Sequence, residues 1–297
     1  MIRIHLILLL SAIVLLTSCQ PKHEQLREDI VKTLSGEPGE FAVAFMDLTT
    51  GETILINEKK SFHAASTMKT PVMIEVFKQA KEGKFSLKDS VVVRNEFRSI
   101  VDGSPYSLTD TDDSEPDLYK KIGGKVPIAD LVYRMITSSS NLATNILIEM
   151  VEAKKTGQTM RDFGANDMKV LRGVEDSKAF KAGLINTVTA YDLMLIFEKI
   201  ATKKAVDDES SSQMIAILQA QKFNDIIPAK LPKDVKVAHK TGWITGVHHD
   251  SAIVYLPNGK YYVLILLSKD LKDEKRGVET LTNVSRMIYD FENLNRK

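Results

Sequence analysis

Apolar positions along this chain fall into three blocks with different periods. Residues 26–34 carry them at helical spacing and stop at Ser35-Gly36 and Pro38, which predicts a short amphipathic helix. Residues 41–46 and 53–56 are compact apolar runs around Asp47-Leu48-Thr49-Thr50-Gly51-Glu52, the pattern of a hairpin. From Ser66 to about Leu218 the pattern is mainly helical, clearest over residues 72–80, 128–135, 142–151 and 190–200. Strand character returns over 233–239, 251–256 and 261–267, the last two joined across Leu256-Pro257-Asn258-Gly259. Residues 279–294 read as a closing helix.

Two early strands, a long helical block and three late strands imply one sheet interrupted by an insertion. The early strands must pair with the late ones, since each set alone would leave open edges. The expected fold class is α+β: a five-stranded antiparallel sheet flanked by the terminal helices, with a large helical lobe inserted. The boundaries follow as an α/β lobe over 24–65 and 229–297 and a helical lobe over 66–228. No internal repeat interrupts this scheme.

The ends change the picture at one side only. Arg3, then a short apolar stretch to Leu16, then Leu16-Thr17-Ser18-Cys19, read as an export signal over residues 1–18. The stretch is short for a membrane span. Leu-Thr-Ser-Cys resembles a bacterial lipobox, which makes Cys19 the expected lipidated residue, followed by a polar tether over 19–23. The expected location is therefore the periplasmic side of a bacterial membrane, touched only through the lipid anchor. Cys19 is the single cysteine, so neither an internal disulfide nor a cysteine metal site can form. Lys and Arg number 40 against 39 Asp and Glu, a balance that gives no case for a nucleic-acid partner. A monomer is expected.

Candidate chemistry starts at Ser66-Thr67-Met68-Lys69, placed where strand-like sequence gives way to an apolar helix. Positions three apart share a helix face, so the hydroxyl and the amine can meet. Serine is a weak nucleophile until a neighbouring base activates it. Two further pieces follow in order: Ser139-Ser140-Asn141 at the head of a helix, and Lys240-Thr241-Gly242 after strand-like Val235-Lys236-Val237-Ala238. S-x-x-K, S-x-N and K-T-G in this order, with their flanks, resemble the penicillin-binding and class A β-lactamase group over roughly residues 22–296.

The resemblance implies the sheet-plus-helical-lobe fold already drawn, with the site between lobes. It implies Ser66 as nucleophile and Lys69 as, or assisting, its base, an amine whose pKa burial and the Lys240 charge would lower. Ser139 would carry the proton to the leaving nitrogen, and Asn141 would orient the substrate amide and Lys69. Lys240 and Thr241 would hold the substrate carboxylate, while Gly242 lets the strand come close. The backbone N–H groups of Ser66 and Trp243 would form the oxyanion hole. No cofactor is implied, and the partner is a β-lactam or peptidoglycan-like small molecule.

The chain departs from the family pattern in two places. Ser140 stands where the S-x-N motif usually has aspartate. In the deacylation loop, Glu175 follows Arg172 one residue late, position 179 is Ala179 rather than Asn, and Asn186 stands where a closing aspartate would be sought. Glu175 is the expected water-activating base. Without it, an acyl-enzyme would persist, as in a penicillin-binding D-alanyl-D-alanine peptidase. A non-lactam serine esterase and a silent cell-wall-binding lipoprotein complete the alternatives, the last opposed by the retained motif residues.

Other clusters carry less. His239, His248, His249 and Asp250 lie close in sequence, but neighbouring strand residues face opposite ways, so no shared metal is expected. Asp110 to Asp117 faintly resembles a calcium loop without its glycine, and reads as a solvated loop. Residues 97–125 form a long segment expected to overhang the site.

Overall fold

The computed structural model describes residues 22–294. The leader, Cys19 and most of the tether lie outside the described residues. The sheet has five antiparallel strands: β1 (Glu40–Asp47), β2 (Thr53–Ile56), β3 (Lys236–Ile244), β4 (Val247–Tyr255) and β5 (Tyr261–Lys269). Their spatial order is β2-β1-β5-β4-β3, so early strand β1 pairs with late strand β5, Val43 opposite Leu266 and Ala44 opposite Ile265. This is the pairing that the exposed-edge argument requires.

The period of two in these strands divides two cores. Phe41, Val43, Phe45, Val254, Leu264 and Leu266 pack on one side with Leu26, Ile30, Leu281 and Ile288. Those last four come from the terminal helices α1 (Lys22–Ser35) and α9 (Glu274–Leu294). Ala42, Ala44, Ala238, Ile253, Val263 and Ile265 face the other side and join the core of the inserted helices. A sheet covered on both faces needs continuous apolar strands, which is what β1 and β5 are.

The insertion is built on α2 (Lys69–Lys81), which is buried nearly all round from Lys69 to Phe77. A helix without a polar face belongs inside a protein. Around it stand α3 (Ile128–Thr137), α4 (Asn141–Val151), α5 (Ala153–Asp162), α6 (Ser177–Lys181), α7 (Ala190–Ala201) and α8 (Asp208–Gln219). Sequence periodicity misses α5 because its buried face is Thr156, Gly157, Thr159 and Met160, hardly an apolar stripe. Helix α8 opens on Asp207, whose side chain accepts from Ser210 N–H, a cap that precedes an unremarkable Ser-rich turn.

One strand differs from expectation in a way that matters. β3 does not end at His239 but continues to Ile244, so Lys240-Thr241-Gly242 sits mid-strand on the free edge of the sheet. Gly246, at φ +73°, makes the tight return into β4. Among the described residues no helix is long and apolar enough to cross a membrane.

Candidate active site

The turn that carries Ser66 is held from three sides. Ser66 lies in a single 3₁₀ turn, Ala65–Met68, just before α2 rather than in its first turn. Ala65 has φ +44°, a strained value for a residue with a Cβ. The turn is fastened by Thr67 N–H and Oγ1 donating to Ala64 O at 3.0 and 2.5 Å, and by Ala65 N–H donating to His63 Nδ1 at 3.0 Å. From outside, His249 Nε2 donates to His63 O at 2.9 Å. Gly242 faces this turn: a Cβ there would lie 2.9 Å from Ser66 N and 3.0 Å from Thr67 N. Close approach of β3 to the Ser66 turn therefore requires glycine.

Lys69 is fully buried and its Nζ donates to Ser139 O at 2.7 Å, Asn141 Oδ1 at 2.8 Å and Ser139 Oγ at 3.2 Å. Burial lowers its pKa to about 7, against the raising fields of Asp113 and Glu175. Lys240 is also fully buried, with Nζ donating to Thr241 O at 2.8 Å and Ser139 Oγ at 3.1 Å. Burial, then the Lys69 charge, pushes its pKa well down, while Asp250 opposes the shift. Ser139 Oγ thus accepts from two amines, which occupies both hydroxyl lone pairs and leaves its own proton free to point at a ligand.

Ser139, at φ +56°, and Ser140 make the turn into α4. Ser140 caps the helix, its Oγ accepting from Ala143 N–H at 3.2 Å. A carboxylate from elsewhere in the chain, Asp113, stands against this turn and accepts from Leu142 N–H at 2.9 Å and Ser140 Oγ–H at 3.3 Å. The run from Asp110 to Asp117 is largely exposed, as its polarity suggests, but Asp113 turns inward and is 6% exposed, and Leu118 just beyond the run is fully buried. Arg134 ties the run to α3 through Glu115 at 2.6 Å.

Glu175 reaches the same cluster despite its shifted position. Its Oε1 accepts from Asn141 Nδ2 at 2.6 Å, and its backbone takes φ +61°. Loss of surrounding water raises its pKa, the Asn141 bond opposes this, and Asp113 and Asp112 add to it. Asn145, which sequence reasoning left without a role, fixes the loop: its Oδ1 accepts from Val174 N–H at 2.7 Å and its Nδ2 donates to Val174 O at 3.1 Å. The signal was available, because Asn145 follows Asn141 by four positions on one helix. Asn186 closes the loop through the backbone, accepting from Leu171 N–H at 2.8 Å and donating to Arg172 O at 2.9 Å. Ala179 takes no part in the site; its N–H is capped by Asp176.

Ser66, Asn141 and Glu175 line a cleft of about 650 Å³ together with Arg172, Phe180 and Trp243 among others. Trp243 is 63% exposed on the edge strand, at the cleft mouth. The histidines disperse: His248 pairs with Glu274 at 3.0 Å, His249 bonds His63 O, and His239 is buried against Asp250 at 3.0 Å. Among the described residues no three or more His, Cys, Asp or Glu groups are arranged to hold a metal ion.

Similar proteins share the fold over most of the chain. The extended-spectrum β-lactamase PER-1 of Pseudomonas aeruginosa is 23% identical over 277 residues, 90% of this chain and 87% of its own. A solved β-lactamase from Sphaerobacter thermophilus superposes with TM-score 0.79 at 24% identity, over 91% of this chain and 98% of that one. PBP-A gives 0.77 at 28% identity, over 91% and 96%, and a variant of it is known as an acyl-enzyme complex with penicillin G at the same identity. The model of the beta-lactamase enzyme family matches residues 25–291, and the chain belongs to that family.

Proposed function

We propose that this protein opens β-lactam rings by acylating Ser66 and then hydrolyses the ester with Glu175 as base. Ser66 Oγ attacks the ring carbonyl carbon as its proton passes to Lys69 Nζ. The tetrahedral oxyanion is held by the Ser66 and Trp243 N–H groups. The ring C–N bond breaks as the nitrogen takes a proton from Ser139 Oγ, which Lys69 resupplies. Lys240 and Thr241 hold the substrate carboxylate. A water then attacks the ester carbonyl, giving a proton to Glu175; the ester C–Oγ bond breaks and Ser66 Oγ takes that proton back, restoring both groups. The observation that carries this reading is the shared amide: Asn141 binds Lys69 on one side and Glu175 on the other, at 2.8 and 2.6 Å. Both half-reactions thereby meet at one point of the cleft.

Intact-mass spectrometry over time with one penicillin tests it, paired with turnover of a chromogenic cephalosporin. A transient adduct on Ser66 with sustained turnover is the expected result. A stoichiometric adduct that does not decay would sink hydrolysis and support a penicillin-binding reading. That second reading is favoured by the one-residue displacement of Glu175 and by the likeness to PBP-A. A label absent in wild type as well as in Ser66→Ala would leave a silent binding protein, and p-nitrophenyl ester cleavage without lactam turnover an esterase. We further propose export and lipid anchoring at Cys19, tested by metabolic lipid labelling that Cys19→Ser abolishes.

A further inference from the structure

The S-x-N turn carries two groups bonded to Lys69, yet the motif's middle residue, Ser140, is too short to brace it alone. Its first helical N–H groups need acceptors, and Ser139 sits in the left-handed region. Asp113 supplies what is lacking. It arrives from a segment 27 positions earlier in the chain, with Oδ2 taking Leu142 N–H at 2.9 Å, Ser140 Oγ–H at 3.3 Å and Tyr119 O–H at 3.1 Å. Its Oδ1 takes Glu115 N–H at 3.0 Å. Four donors converge on one buried carboxylate. The side chain also stands at the N-terminal end of α4, where it accepts from Leu142 N–H.

We infer that Asp113 is a positioning residue for acylation, the carboxylate of the active-site turn delivered from a distant segment to hold Ser139 and Asn141 on Lys69. Asp113 touches neither substrate nor nucleophile. It acts through the two residues that flank Ser140, and the long 97–125 segment is on this view a brace built into the site.

The inference rests on acylation of Ser66, and the test separates the two. Purified wild type, Asp113→Asn, Asp113→Ser, and Asp113→Ser combined with Ser140→Asp are labelled with a fluorescent penicillin, and thermal melting is recorded for each. The single variants are expected to acylate roughly 100-fold more slowly, the cost of misplacing a catalytic group by about an ångström. The combined exchange returns the carboxylate to the turn from position 140 and is expected to come within about tenfold of wild type. A merely structural role would track melting temperature and show no such rescue. Asp113→Asn labelling at the wild-type rate overturns the inference, and so does a folded exchange variant no faster than Asp113→Asn. Should Asp113→Ser not fold, the comparison of Asp113→Asn with the exchange decides alone. Absence of label in wild type instead overturns the acylation chemistry.

Discussion

Asn141 Nδ2 stands 2.6 Å from Glu175 Oε1, while the same side chain's Oδ1 accepts from Lys69 Nζ at 2.8 Å. An ammonium or amine N–H only donates here, so the amide orientation is fixed and Glu175 must accept. The carboxylate is thereby aimed, with its second oxygen available to a water. Sequence alignment by position alone would have put this carboxylate one residue out of place.

Glu175→Gln should uncouple the two half-reactions. Gln keeps the length and the Asn141 contact but cannot take a proton from water. Acylation of Ser66 is expected to stay within about tenfold of wild type, while release slows by roughly 10²–10⁴-fold. Intact-mass spectrometry would then find the adduct accumulating. Undiminished turnover by the variant would remove Glu175 from the mechanism.

Gly173→Ala should give a related defect from a steric cause. A Cβ at position 173 would lie 2.2 Å from Asn145 Oδ1, the atom that accepts from Val174 N–H. Either the amide or the loop must move, and Glu175 is two residues away. The expected loss in release is about 100-fold with acylation largely kept, measured by the same mass time course. A wild-type release rate in Gly173→Ala would show that Asn145 does not set the loop.

What the sequence reveals and hides follows from where the information lies. Ser66, Lys69, Asn141 and Lys240 are legible because each belongs to a short motif; the structure bonds Lys69 and Lys240 to Ser139 and Lys69 to Asn141, and Ser66 lines the same cleft as Asn141. The sheet is legible because both faces of β1 and β5 are covered, which writes long apolar runs. Helix α5 is hidden because Thr and Gly form much of its buried face. Asp113 is hidden for a different reason: its loop is polar throughout, and only the fold shows which aspartate turns inward. The extent of β3 is masked because Lys240 and Gly242, residues depleted in strands, interrupt its apolar run.

Acylation should rise with pH through about 7. Burial lowers Lys69 to about 7, so above that pH its amine is neutral and able to take the Ser66 proton. The same shift acts on stability. The unfolded chain keeps that lysine protonated up to its ordinary range near 10.5, whereas the folded chain releases it from about 7. Between those values the unfolded state binds more protons, so this group makes folding stability rise with pH. Rates of fluorescent-penicillin labelling between about pH 5.5 and pH 8.5 check the catalytic half. A flat profile would mean that Lys69 is not the base.

Acid should loosen the scaffold behind the nucleophile through His249. Its ring is fully buried, with Nδ1 accepting from Ser268 N–H at 3.2 Å and Nε2 donating to His63 O at 2.9 Å. Burial lowers its pKa to about 4. From about 6.5 down to about 4 the unfolded state takes a proton that the folded state refuses, so stability is present above 6.5 and is lost as pH falls. The loss by about pH 4.5 should be about 2 kcal/mol from this residue. His249→Gln can reproduce both hydrogen bonds without titrating, so its urea-unfolding free energy should fall less between about pH 7 and pH 4.5, by that amount. Equal acid sensitivity in both proteins would assign the loss to other groups. Because His63 leads directly into the strained Ala65-Ser66 turn, the same acid range should slow Ser66 labelling more in wild type than in His249→Gln.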